Sequence, residues 1–478
     1  MTEVLECINR FVWGIPSLVL ILGVGLYLSI RSGFAQLRLF PAAMRSFFSC
    51  FRKGSDEKES SFQALCTALA ATVGTGNIAG VAGAIAIGGP GSIFWMWVCA
   101  FLGMITKYAE ATLSVYYRQR EDEKGMLGGP MYMIESGMGR KWRPLAVTYC
   151  LFGVVAAFGM GNATQINAVV DSVTSVRSFL GQEQSLPVNL LFGGFLAAVS
   201  AAVLLGGAKR IGTAASLLVP VASAAYLILG TGAILAHADQ VPAAFGAILE
   251  GAFSPRAVTG GVVGSMFAAL RVGASRGVFT NEAGMGTAAM AHGASQVEHP
   301  VEQGLMGIME VFLDTIVICT MTALVILTSG TPIPFGTDEG AALTARAFAC
   351  TYGDWVSIPI AVFLCCFAFG TMLGWGLYGL RCAQYLFGNG SWKTFVLIQS
   401  VISMASVLLK TGTVWMLAET VNGLMAIPNL ICLAALSPVL FRLTECWKKR
   451  TDSRCAFGNQ DLLIRDCKST KTVCPSDK

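Results

Sequence analysis

Charge is what this chain has least of. Lys, Arg, Asp and Glu make up 13% of its 478 residues, against 54% hydrophobic residues, whereas soluble domains carry about 25% charged residues. Histidine is scarcer still, with three copies, His237, His292 and His299, all in segments that read as loops. No GxxxxGKS or GxxxxGKT stretch occurs, which excludes the usual ATP-binding loop. No H-E-x-x-H and no Ser/His/Asp set offers a hydrolytic centre, so an enzyme is disfavoured. The 15 Cys include no CxxC pair and no Cys/His cluster. Many of them (Cys99, Cys319, Cys365, Cys366, Cys432) sit in apolar runs and read as small hydrophobes, with no resident metal implied. Glu3 and Glu6 precede the first apolar run without a basic segment or an A-x-A site, so the N-terminus does not read as a cleaved signal peptide. Nothing in the net charge of +5 suggests a nucleic-acid partner.

What is abundant is apolar length. Long apolar runs recur along most of the chain, without the alternating ten-residue strands of a membrane barrel, so the chain reads as an all-α polytopic membrane protein. Eleven spans can be drawn: Val12–Ile30, Gln63–Ile87, Ser92–Tyr117, Leu145–Val170, Leu190–Leu205, Thr213–Ala236, Thr259–Met290, Leu305–Thr328, Trp355–Ala383, Thr394–Leu409 and Thr411–Leu440. Val241–Phe253 is too short to cross and reads as an interfacial piece. With the N-terminus outside, the inner segments hold 25 of the 33 Lys and Arg, the outer segments five, and the spans themselves three: Lys107, Arg271 and Arg276. This bias predicts a cytoplasmic C-terminus. The tail after Arg450 is polar and reads as disordered.

Setting the first span aside leaves ten, which divide as five plus five. The expected units are an N-terminal helix with a basic loop (1–62), a first repeat (63–236), an external interfacial segment (237–258), a second repeat (259–441) and a polar tail (442–478). In each five the leading span is interrupted by glycine, by "GTGNIAG" within 63–87 and by "RVGASRGVFTNEAGMG" within 259–290. Gly-interrupted spans in corresponding positions of two oppositely oriented halves mark the binding site of a secondary transporter.

The residue types at these interruptions suit a particular cargo. A break at Thr72–Asn77 frees backbone carbonyls beside Thr hydroxyls, hard oxygen ligands for a small alkali cation. The helix that restarts after it presents N–H groups and a positive dipole end to a carboxylate. Helix packing through Gly76-x-x-x-Gly80 is the competing reading. In the second half, Phe267 to Leu270 read as a pocket cap, and Arg276 with Glu282 as a structural ion pair. Asn162 and Gln165 share a helix face. Thr371 offers a hydroxyl to an ion and Trp375 a wall to a ligand. Lys107 and Glu110, at i, i+3, read as a pair; Glu310 and Asp314 form an acidic pair of open role, and Glu419 has no assignable partner. "GGPMYMIESGMG" is apolar for a loop and reads as a segment folded back on the bundle.

Three motifs, "TALAATVGTGNIAGVAGAIAIGGPGSIFWMW", "GGPMYMIESGMG" and "RGVFTNEAGMGTAAMAH", closely resemble the alanine or glycine:cation symporter family of bacteria and archaea, over about Trp13 to Phe441. The resemblance implies a leucine-transporter-type fold of five plus five inverted helices, with the first and sixth core helices unwound and one extra leading helix. It implies sodium-coupled import of alanine, D-alanine or glycine across the bacterial cytoplasmic membrane. Residue by residue, it implies that Thr75, Gly76 and Asn77 meet the substrate, Asn77 foremost, with Gln165 as partner. Phe267, Ala268, Ala269 and Leu270 would wall the pocket and Trp375 would close it. The carbonyls near Thr72 and Val73, with the Thr371 hydroxyl, would hold Na⁺. Proton coupling through Glu310, Asp314 or Glu419 is the rival within transport, and a cation channel or an amino-acid sensor the rivals outside it.

Overall fold

The computed structural model describes residues 12, 15–50, 56–121, 125–183, 185–253, 257–259, 262–264, 266–337, 340–408 and 411–456. The polar tail beyond 456 and the segment before Val12 lie outside the described residues. Helix dominates. A leading helix α1 (Ile15–Arg31) is followed by the short amphipathic α2 (Phe40–Ser49). The first interrupted span is then two helices, α3 (Asp56–Thr72) and α4 (Ala79–Gly88), joined through a 3₁₀ turn at Thr75–Asn77. α5 (Gly91–Tyr116) leads to a hairpin of β1 (Gln119–Glu121) and β2 (Gly125–Leu127). The next span runs as α6 (Arg143–Phe158), a π turn at Gly159–Ala163, and α7 (Thr164–Phe179). α8 (Leu186–Leu204) and α9 (Gly207–Ala236) close the first half.

Between the halves lie α10 (Val241–Phe253) and a second hairpin, β3 (Ala257–Thr259) with β4 (Val262–Gly264). The second interrupted span is α11 (Met266–Asn281) and α12 (Thr287–His292). Then follow α13 (Pro300–Val311), a π segment Phe312–Cys319, and α14 (Thr320–Thr328). An outer helix α15 (Ala341–Tyr352) precedes α16 (Ser357–Phe387), α17 (Ser391–Ser406) and α18 (Thr411–Ala456). Among the described residues, seven helical stretches are long and apolar enough to cross a bilayer. The two interrupted spans fall short of that length because each is broken in mid-course, which is the feature the glycines announce.

Every drawn span meets a helix or helix pair. The span drawn from Thr259 starts late, because residues 257–264 pair as a hairpin and the helix opens only at Met266. α10 is the short helix expected at Val241–Phe253 and is clamped by contact: a Cβ on Gly91 would stand 2.1 Å from the Gly251 carbonyl carbon. α15 was not anticipated; its Thr344 hydroxyl donates to the Ile78 carbonyl (3.0 Å) and so seats it over the first break. The loop "GGPMYMIESGMG" does fold onto the bundle, with Pro130, Met131, Tyr132, Met133 and Ile134 all buried.

α5 packs along α11 and α13, while α16 packs against α3, α6 and α7. These two helices frame the breaks. The exposed apolar residues lie on the outer helices, for example Leu217, Val221 and Ile228 of α9, as expected of a lipid-facing surface.

Candidate functional site

The first break is a change of partners. Val73 N–H still donates to the Leu69 carbonyl (2.7 Å), the last helical bond of α3. The next donor, Gly74 N–H, leaves the ladder for Asn77 Oδ1 (2.9 Å). The carbonyls at the end of α3 thus lose their helical donors. One of them, Ala70 O, accepts the Thr371 hydroxyl of α16 at 3.2 Å. Gly74 is required for that approach, since a Cβ there would lie 2.6 Å from Thr371 Oγ1. One residue on, Thr75 Oγ1 donates to Gln165 Oε1 (3.2 Å) on α7. Thr72 donates back to Ala68 O (3.2 Å). Thr75, Asn77 and Trp375 are fully buried, and Thr72, Gln165 and Thr371 nearly so.

The second break is at Asn281–Gly286, and backbone geometry marks it. Glu282 has φ 54°, one of two non-glycine residues with positive φ among those described, with Gly284 (φ 94°) and Gly286 (φ 75°) just behind. Such a backbone persists only where surrounding contacts impose it. Here Ala283 N–H donates to Asn281 Oδ1 (3.0 Å), and Gly284 and Gly286 N–H both donate to Glu110 Oε1 (2.9 and 3.0 Å). Asn429 of α18 donates to the Gly284 carbonyl (2.9 Å). The Glu282 carboxylate accepts Trp375 Nε1–H (2.7 Å) and the Thr287 hydroxyl (2.6 Å).

The two breaks touch and are tied. Gly76 faces the end of α11, where a Cβ would meet Phe279 and Thr280 at 3.6 Å. The tie runs through Asp314, fully buried in the π segment. Its Oδ1 accepts Asn77 Nδ2–H (2.7 Å) and its Oδ2 the Thr315 hydroxyl (2.8 Å); Thr315 Oγ1 in turn accepts Asn281 Nδ2–H (3.2 Å). One carboxylate therefore joins Asn77 of the first break to Asn281 of the second.

Several expectations change. Phe267, Ala268, Ala269 and Leu270 do not wall this site. They form the first turn of α11, and Phe267, 72% exposed, is about 21 Å of helix from Asn281. The Asn77 side chain faces Gly74 and Asp314, holding the break's shape. Arg276 pairs not with Glu282 but with Glu419 of α18 (3.0 Å), which gives Glu419 its partner. Lys107 pairs with Glu310 of α13 (2.9 Å) rather than with Glu110. His292 is no loop residue: it ends α12, fully buried, against Glu310 (3.0 Å). Asn162 is occupied by packing contacts, donating to Ala157 O and accepting Gln399 Nε2–H (2.8 Å). The structure brings Thr72, Val73, Thr75, Gly76, Asn77, Gln165, Thr371 and Trp375 together, and it adds Asp314, Asn281, Glu282 and Glu110. Intramembrane acids were the available signal for the last group, but nothing local assigned their partners.

Two discontinuous helices meeting at their breaks inside a helical membrane bundle are the mark of a secondary transporter of the leucine-transporter fold. The solved structure of MhsT in complex with L-phenylalanine shares that fold, with a TM-score of 0.60 at 15% identity, covering 78% of this chain and 88% of that one. The profile of the sodium:alanine symporter family matches residues 1–457. The sodium/alanine symporter AgcS of Methanococcus maripaludis is 42% identical, over 94% of this chain and 97% of that protein. The probable sodium/glutamine symporter GlnT of Bacillus subtilis is 36% identical, over 98% and 95% respectively. The chain belongs to the sodium:alanine symporter family, a family of membrane transporters and not of enzymes.

Proposed function

We propose that this protein imports a small neutral amino acid, alanine or glycine, together with Na⁺, by alternating access around the two breaks. The observation that carries the reading is the convergence of Thr371 Oγ1, the freed carbonyls at the end of α3 and the Thr75–Gln165 pair on one buried point. Na⁺ takes the carbonyls of Thr72 and Val73 and the Thr371 hydroxyl, all hard oxygen donors. The zwitterion lies beside Thr75, Gly76 and Gln165, its carboxylate toward the N–H groups that open α4. Asn77 positions this backbone through Gly74 and Asp314 and is not itself a ligand.

Trp375 limits the size of the cargo. It is fully buried, fixed by Glu282, and packed so closely on the π turn that a Cβ on Gly161 would stand 2.3 Å from its own Cβ. The name of the glutamine relative belongs to that protein; a filled site around Trp375 favours the smaller side chain here. The basic loops face the cytoplasm in this reading, so the N-terminus is outside and a bacterial cytoplasmic membrane is the setting. Each Na⁺ entering with a neutral zwitterion gains about 2.3 kcal/mol per 100 mV of membrane potential.

Of the acids a proton-coupled carrier would use, Glu310 is paired with Lys107, Glu419 with Arg276, and Asp314 is bonded to Asn77 and Thr315. A channel is opposed by the complete burial of Thr75 and Asn77. Calorimetry on the purified protein tests the reading: L-alanine should bind in Na⁺ and not in choline. Equal binding in both, or none in either, would refute it.

A further inference from the structure

Four fully buried ionisable groups, Lys107, Glu110, Glu282 and Glu310, lie together at the inner end of α5. All three carboxyls act electrostatically on the one ammonium. His292 lies against Glu310, its Nε2 3.0 Å from Glu310 Oε2 and its Nδ1 2.7 Å from Gln303 Nε2. Gln303 is in turn bonded to Ser61, whose hydroxyl donates to its Oε1 (2.7 Å). The remaining titratable neighbours are Asp314 of the π segment, which acts on Lys107 and Glu310, and Tyr149 of α6 and Tyr378 of α16, with the thiols of Cys150 and Cys382 behind Tyr149. Even with His292 counted as a cation, two positive groups face the four buried acids Glu110, Glu282, Glu310 and Asp314, and an uncompensated buried charge costs several kcal/mol. At least one carboxyl is therefore neutral.

The hydrogen bonds say which. Glu310 accepts Lys107 on one oxygen and His292 on the other. Glu282 accepts Trp375 on one and Thr287 on the other. Both have the pattern of a carboxylate. Glu110 is lopsided: Oε1 accepts Gly284 N–H, Gly286 N–H and Asn429 Nδ2–H (2.9, 3.0 and 2.7 Å), while Oε2 accepts nothing among the described residues. That is the pattern of a carboxylic acid, one oxygen purely accepting and the other carrying a hydrogen. Nearby, Tyr149 OH, Tyr378 OH and Asn429 Oδ1 are likewise buried without a hydrogen-bond partner among the described residues.

We infer that Glu110 is a proton-binding site, protonated at Oε2 in this closed state and read out by the second helix break. The consequence rests on the transport reading above. Gly284 and Gly286, whose N–H groups hold Glu110 Oε1, lie in the second break, which rearranges in that reading when the protein opens toward the basic loops. Water then reaches the carboxyl and the proton leaves to the cytoplasm; reclosing takes one back from the same side. No net proton crosses, so cytoplasmic pH sets turnover without supplying the driving force. The sign follows: closing needs the proton, so turnover is sustained at low internal pH and falls as internal pH rises, by at most about tenfold per pH unit for one proton.

Proteoliposomes with clamped internal pH test this. Wild-type Na⁺-driven alanine uptake should fall on the alkaline side, and Glu110→Gln, which mimics the neutral acid, should retain uptake there. A Glu110→Gln variant that keeps the alkaline decline would overturn the inference. Infrared spectra of the purified, Na⁺-loaded protein need no transport: a protonated-carboxyl band should be present in wild type and absent in Glu110→Gln. A band that survives this change and vanishes in Glu282→Gln, or no band in wild type, would also overturn it. Absence of uptake in wild type with the band intact would instead count against the transport reading.

Discussion

The Asn77 amide donates to the Asp314 carboxylate at 2.7 Å, and that bond joins the first helix break to the π segment that also holds the second. Asp314 reaches Asn281 through Thr315, so neither break is shaped alone. Asp314→Ala should strand the Thr315 hydroxyl and remove the shortest contact of Asn77 Nδ2, which keeps the Asp314 carbonyl and Cys319 Sγ, and cost about 1–3 kcal/mol. Thermal unfolding should show the loss, and Asp314→Asn should recover part of it.

Thr371 offers the site its one hydroxyl from α16, held 3.2 Å from Ala70 O. Thr371→Ala should raise the Na⁺ concentration for half-maximal uptake about tenfold, the equivalent of about 1.4 kcal/mol. Thr371→Ser, which keeps the oxygen, should stay near wild type. A sodium titration of uptake separates the two.

Trp375 is fully buried and anchored to Glu282. Trp375→Leu should weaken alanine uptake and let larger neutral amino acids compete for it. Competition by a panel of amino acids against labelled alanine reads this directly. An unchanged ranking would mean that Trp375 does not bound the pocket.

Lys107 and Glu310 are both fully buried and 2.9 Å apart. Removing one partner strands the other, so Lys107→Met should cost about 3–5 kcal/mol. Lys107→Met with Glu310→Gln should be more stable than Lys107→Met alone, and denaturation of the three proteins measures the difference.

The spans and both breaks were legible because their signals are local. Apolar length marks a crossing, and a glycine cluster inside it marks an interruption. The first break falls within "GTGN" as read. The second was blurred because its glycines spread from Gly273 to Gly286, while only Gly284 and Gly286 lie beyond the end of α11. Placing the pocket at Phe267–Leu270 rested on an aromatic followed by two alanines just ahead of those glycines and on the family resemblance. Charge partners were not legible. Lys107 and Glu110 stand three apart on one helix and invited pairing, yet Glu310 is closer in space across 203 residues of chain. Arg276 and Glu419 likewise meet only because α11 and α18 are brought together by the fold.

The most direct measurement is uptake of labelled L-alanine into proteoliposomes carrying an inward Na⁺ gradient, with a potassium diffusion potential set by valinomycin. The account predicts accumulation above equilibrium that requires Na⁺, grows with internal negative potential and survives a protonophore once the potential is clamped. Accumulation that persists without Na⁺ and collapses with the protonophore would contradict it.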